Sequence, residues 1–124
     1  MNIHQLHEHY WLNGGAIKSF HLDIQNNTAE IQLSVSRHIN GKLLVGQINE
    51  KDLVPCIIKL TFQELIEASL FDKFPTQGYY LNFCTFGNNG AEVGMSFNVH
   101  DNSNYVYEKD NWVIKSKRMT WKEV

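Results

Sequence analysis

The first residues whose types and spacing suggest chemistry are His4, His7 and His9. On a helix, a spacing of three puts His4 and His7 on one face while His9 points elsewhere. Two imidazoles are half of a tetrahedral zinc site, and the remaining ligands must come from distant segments. A zincin helix would need a second histidine four residues after the one in His7-Glu8, and Trp11 stands there. A solvated helix face accounts for the cluster more simply, so neither a metal nor another cofactor is expected. Gly94-Met95-Ser96-Phe97-Asn98 departs from a nucleophile elbow at its last position. That elbow needs a strand-to-helix turn, whereas Val93, Met95, Phe97 and Val99 alternate straight through it. Cys84 has no helix start and no basic neighbour in sequence to lower its pKa, so it is a poor nucleophile. Gly14-Gly15 is too short for a dinucleotide fingerprint, and no Gly-Lys-Ser/Thr follows a glycine loop. No catalytic residue emerges, and the chain is expected to act without enzymatic chemistry.

Binding is the alternative, and charge and aromatic residues bear on it. Residues 1–63 carry five acids and five bases. Residues 64–110 carry seven acids (Glu64, Glu67, Asp72, Glu92, Asp101, Glu108 and Asp110) against Lys73 and Lys109, a net of −5. Residues 111–124 carry Lys115, Lys117, Arg118 and Lys122 against Glu123, a net of +3. Such asymmetry steers a basic partner toward the middle segment. In Tyr105-Val106-Tyr107 the two tyrosines share a face. If Val106 is the buried residue, they stand exposed beside Glu108 and Asp110; the opposite register buries both. Aromatic anchors ringed by carboxylates suit a protein interface. The candidate partner-binding residues are therefore Glu92, Asp101, Tyr105, Tyr107, Glu108 and Asp110. Lys115-Ser116-Lys117-Arg118 with Trp112 and Trp121 is the candidate for nucleic-acid contact. Lysines guarding an edge strand explain that tail better, so a basic protein, and no nucleic acid, is the expected partner.

The elements that must position these residues can be read from periodicity. A length of 124 residues fits one domain, 1–124, with room for a core. Ile3, Leu6 and Tyr10 predict a short helix over 3–12, stopped by Asn13-Gly14-Gly15. Phe20, Leu22 and Ile24 alternate as a strand, Asn26-Asn27 turns the chain, and Ile31, Leu33 and Val35 alternate again. Asn40-Gly41 predicts a two-residue hairpin turn, with Leu43 to Gln47 returning as the partner strand. Val54, Cys56, Ile58 and Leu60 line one face of a further strand. Thr61-Phe62-Gln63-Glu64 reads as a capping box, with Leu60 and Leu65 as its staple, so a helix is expected from Thr61 to before Pro75. Four strands follow: Tyr79–Phe86, Ala91–Val99, Asn104–Glu108 and Trp112–Met119. Gly87-Asn88-Asn89-Gly90 and Lys109-Asp110-Asn111 are the expected turns, and links this short require antiparallel pairing. The predicted fold class is α+β: a mainly antiparallel, curled meander with one inserted helix and a short N-terminal helix.

No apolar run approaches the ~20 residues of a membrane span, and the first residues do not read as a secretory signal. Cys56 and Cys84 fit free thiols in a reducing compartment, so a cytoplasmic protein with no membrane contact is expected. Three stretches also carry a likeness. Tyr10-Trp11-Leu12-Asn13-Gly14-Gly15-Ala16-Ile17-Lys18-Ser19-Phe20-His21-Leu22-Asp23 opens a hairpin. Ile58-Lys59-Leu60-Thr61-Phe62-Gln63-Glu64-Leu65 joins strand to helix. Trp112-Val113-Ile114-Lys115-Ser116-Lys117-Arg118-Met119-Thr120-Trp121 closes a sheet. As an outline they resemble small bacterial immunity proteins of contact-dependent growth inhibition and other polymorphic toxin systems. The resemblance implies a cytoplasmic protein that binds and blocks a toxin domain, often a nuclease with a cationic surface. It transfers no site residues. Two other readings stand beside it: an adaptor domain that self-associates through an exposed strand, and a small metal-binding protein or hydrolase built on the histidine cluster.

Overall fold

The computed structural model describes residues 4–69, 79–89, 92–100 and 106–124, with the side chains of 5–12, 15–69, 93 and 113–124. A short helix α1 (His4–His9) leads directly into strand β1 (Tyr10–Asp23). Then come β2 (Thr28–His38), a 3-10 turn (Glu50–Asp52), β3 (Leu53–Ser69), β4 (Tyr79–Asn89), β5 (Glu92–His100) and β6 (Val106–Glu123). All neighbouring strands are antiparallel, in the order β1-β2-β3-β6-β5-β4. Two three-stranded meanders are thus joined through β3 and β6. The far seam, β1 to β4, brings the ring round to a barrel over two described positions only, Ala16 with Tyr80 and Ile17 with Tyr79.

The interior follows from period-two alternation. Ala29, Ile31, Leu33 and Val35 of β2 face inward, as do Ile58, Leu60 and Phe62 of β3 and Ile114 and Met119 of β6. Leu6 of α1 and Tyr10 and Leu12 of β1 join them. Fully burying one such side chain stabilises by roughly 1.5–3 kcal/mol. The ion pairs among the described residues, such as Lys115–Glu67 at 3.4 Å, join part-exposed side chains and are worth at most about 1 kcal/mol each. The apolar ladder, not the charges, sets the register.

Several expected ends of elements are instead bulges. Trp11 pairs with Ser36 and Ala16 with Ser34, so residues 12–15 of β1 span the width of Val35 alone. Asn13-Gly14-Gly15 therefore bends a strand rather than stopping a helix. A Cβ on Gly15 would lie 2.5 Å from the Ser34 carbonyl oxygen, which is why glycine sits there. In the same way His100 pairs with Val106 and Asn98 with Asn111. Lys109-Asp110-Asn111 thus lies within one continuous β6, where two strands and a turn were expected.

The helix expected from Thr61 does not form over Thr61–Ser69, which is the second half of β3. The Val54, Cys56, Ile58, Leu60 stripe simply continues through Phe62. Glu64 has the left-handed φ of 57°, and its carboxylate pairs with Arg118 Nε at 2.9 Å instead of capping a helix. Asn27, itself left-handed at φ 54°, clamps the next residue. Its carbonyl accepts from the Leu65 amide at 3.2 Å, and its Nδ2 donates to the Leu65 carbonyl at 3.2 Å. Phe62 and Leu65 then both face the core with two residues between them, and so do Ser116 and Met119 on the paired strand. The two strands turn one corner together, and the buried Ser116 hydroxyl donates to the Arg118 carbonyl at 2.7 Å. Bulges at such corners are how a twisted sheet is curled into a barrel.

The Asn40-Gly41 turn is present: Gly41 has φ 70° and its amide donates to the His38 carbonyl at 2.9 Å. Its expected partner strand is not. Leu43–Gln47 is irregular, and β2 pairs with β3 instead.

Candidate functional site

The inward alternation changes character at one end of the barrel. On β2 it runs Ile31, Leu33, Val35 and then Arg37; on β6 it runs Met119, Trp121 and then Glu123. Arg37 Nε donates to Glu123 Oε1 at 2.9 Å, and Arg37 Nη1 donates to the His38 carbonyl at 3.1 Å. The buried Tyr10, cross-strand partner of Arg37, has its hydroxyl close enough to the same Glu123 carboxylate to feel its charge. Cys56 borders the group from β3. Beyond Glu123, the Val124 amide donates to the Ile57 carbonyl at 2.8 Å and fastens the last residue to β3.

A segment between β2 and β3 covers part of this mouth. The Ile39 amide donates to the Asp52 carbonyl at 2.7 Å, and the Leu44 amide donates to the Glu8 carbonyl of α1 at 2.6 Å. Between segment and barrel lies a cavity of about 150 Å³, lined by His7, Tyr10, Trp11, Leu12, Leu44 and Ile48. Trp11 at its rim is 46% exposed, and on the covering segment Leu43 and Val45, which flank the lining residue Leu44, are 48% and 68% exposed. Single exposed apolar residues are ordinary, but three so close to one concavity mark this end of the barrel as a candidate interaction surface.

The electrostatics of the mouth favour holding over reacting. Burial pushes the Tyr10 hydroxyl up from its ordinary value, and the Glu123 charge pushes it the same way. Burial likewise raises the Cys56 thiol, with Glu123 adding to it. The hydrogen bond and charge of Glu123 keep Arg37 firmly protonated. A base or nucleophile serving at neutral pH needs shifts toward 7, and these run the other way.

The expected binding residues lie apart from the described side chains. Asp101 and Tyr105 fall outside the described residues. Glu92 begins β5, and Tyr107, Glu108 and Asp110 lie in the β6 bulge, with side chains outside the described set. Ser96 sits in mid-β5 between Thr85 and Val113, on a strand and not at an elbow. Among the described residues no group of histidine, cysteine or carboxylate side chains is placed to hold a metal ion, and no helix is long and apolar enough to cross a membrane. Sequence reasoning missed the mouth itself. Leu43 and Val45 read as strand residues, and the one usable signal was their apolar type in a polar stretch. Comparisons with protein-family models, curated proteins and solved structures return no match.

Proposed function

We propose that the chain is a non-enzymatic binding protein of the immunity type, which neutralises a bacterial toxin domain by occupying its surface. The observation that carries this reading is the half-exposed Trp11 at the mouth cavity, with exposed Leu43 and Val45 on the segment that covers it. Tryptophan at the centre of a patch is the residue type that most often anchors an interface. The hydrogen bonds of Arg37 to Glu123 and to the His38 carbonyl, beside the buried Tyr10, support it further, because they fix the strands under the patch. The net charge of −5 across residues 64–110 adds steering toward a cationic toxin such as a nuclease.

The test is protection from poisoning. Where a toxin domain is encoded beside its gene, co-expression of the chain with that domain should restore growth. Trp11→Ala combined with Val45→Asp should abolish rescue while leaving the melting temperature nearly unchanged, since both side chains are exposed. Full rescue by the double variant would remove the mouth from the interface. Absence of rescue by the unaltered chain would remove the reading altogether.

A further inference from the structure

Over the described residues, the β5 ladder covers only part of β6. Val93 pairs with Ser116, but β6 runs on to Glu123 beside β3. The Val124 amide bonded to the Ile57 carbonyl sets the phase of the β3–β6 ladder. By antiparallel alternation, Lys122, Thr120 and Arg118 direct their main-chain groups at β3, and Glu123, Trp121 and Met119 direct theirs away from it. Among the described residues no strand meets that outer side of 119–123.

The side chains around this edge are basic. Arg118, Thr120 and Lys122 are exposed on the outer surface, and Lys117 adjoins them. Lys122 stands directly opposite Lys59 of β3. Like charges in that position destabilise a sheet. Lys59 reaches Glu30 only at 3.8 Å, and Lys122 has no carboxylate within salt-bridge distance among the described residues. Lysines on an edge guard against unwanted pairing, and here they would oppose a second copy presenting the same basic edge. The guard is selective by sign: the charges that repel a basic strand attract an acidic one.

We propose that the 119–123 edge of β6 accepts an extended acidic segment of a partner protein as an added strand, with its carboxylates on Lys59, Lys117 and Lys122. Main-chain bonds to Met119, Trp121 and Glu123 supply the affinity, and the lysines supply the choice of partner. This edge shares only Glu123 with the mouth, through its main chain rather than its carboxylate, and does not depend on the toxin reading, so either can fail alone.

The test uses the full chain and a fluorescein-labelled peptide of alternating glutamate and valine. A counterpart with lysine for glutamate and a labelled oligothymidylate serve as controls. The acidic peptide should bind, with affinity falling as salt rises, and neither control should match it. Lys122→Glu turns a like pair into an opposite pair, so it should melt at a higher temperature yet bind the peptide about tenfold more weakly. Lys59→Glu provides the same test from the other strand. By hydrogen exchange the Met119, Trp121 and Glu123 amides should be open in the free chain and protected with peptide bound. Four results would each overturn the proposal: no peptide binding; equal binding by the Lys122→Glu chain; amides already protected without peptide; or oligothymidylate binding as tight as the peptide.

Discussion

Glu123 accepts from Arg37 and lies beside the buried Tyr10 hydroxyl, and the tyrosine makes this arrangement testable by pH. A tyrosine in the unfolded chain titrates at about 10, and burial beside a carboxylate holds the folded group above that. The unfolded chain therefore releases the proton first. The stability linked to the neutral hydroxyl is complete below about pH 10 and is lost as pH rises through the folded value. Tyr10→Phe should change stability by no more than about 1 kcal/mol at neutral pH, where the hydroxyl is neutral in both states. The gap between the two chains should shift against the unaltered one in urea titrations carried above about pH 10. A gap that stays constant would show that Tyr10 keeps its proton no better folded than unfolded. Gly15 offers a steric counterpart. An alanine Cβ there would sit 2.5 Å from the Ser34 oxygen, so Gly15→Ala should cost about 1–3 kcal/mol by the same titration.

At the scale of elements, the informative residues are those that bend strands. Asn27 and Glu64 share a left-handed backbone but serve differently. Asn27→Ala removes a side-chain bond to Leu65 and puts a Cβ-constrained residue without it at φ 54°, so it should cost about 1–2 kcal/mol. Glu64→Gly relieves about 1 kcal/mol of backbone strain and gives up an exposed ion pair with Arg118 worth at most about that much. It should leave the melting temperature unchanged or raise it, and a clear fall would mean that the Glu64–Arg118 pair holds the corner. The strands themselves were legible because Ile31, Leu33 and Val35, and Cys56, Ile58 and Leu60, alternate without interruption. The corner was not. Thr61-Phe62-Gln63-Glu64 satisfies a helix cap locally, and what overrides it is Asn27 from another hairpin and the matched slip at Ser116. Neither is visible in a window of neighbouring residues. Lys109-Asp110-Asn111 and Asn13-Gly14-Gly15 misled for the same reason: residues that favour turns also make bulges, and the choice between them rests with the partner strand.

For the whole molecule, the antiparallel sheet and the short N-terminal helix could be read from the chain, while the barrel could not. Its order depends on β3 meeting β6 and β1 meeting β4, pairings between segments far apart in sequence. The mouth was hidden similarly. Trp11 reaches the cavity because β1 bulges after it, and Leu44 reaches it because its amide is held by Glu8 of α1. The reading of the chain as a binder rests on that surface acting as an interface. The most direct measurement is calorimetric titration of the chain, unaltered and as Val45→Asp, into whichever toxin domain the rescue experiment identifies. Saturable one-to-one binding is expected, weakened at least about tenfold by Val45→Asp. Binding of equal strength by both chains, or none by the unaltered one, would refute that role for the mouth.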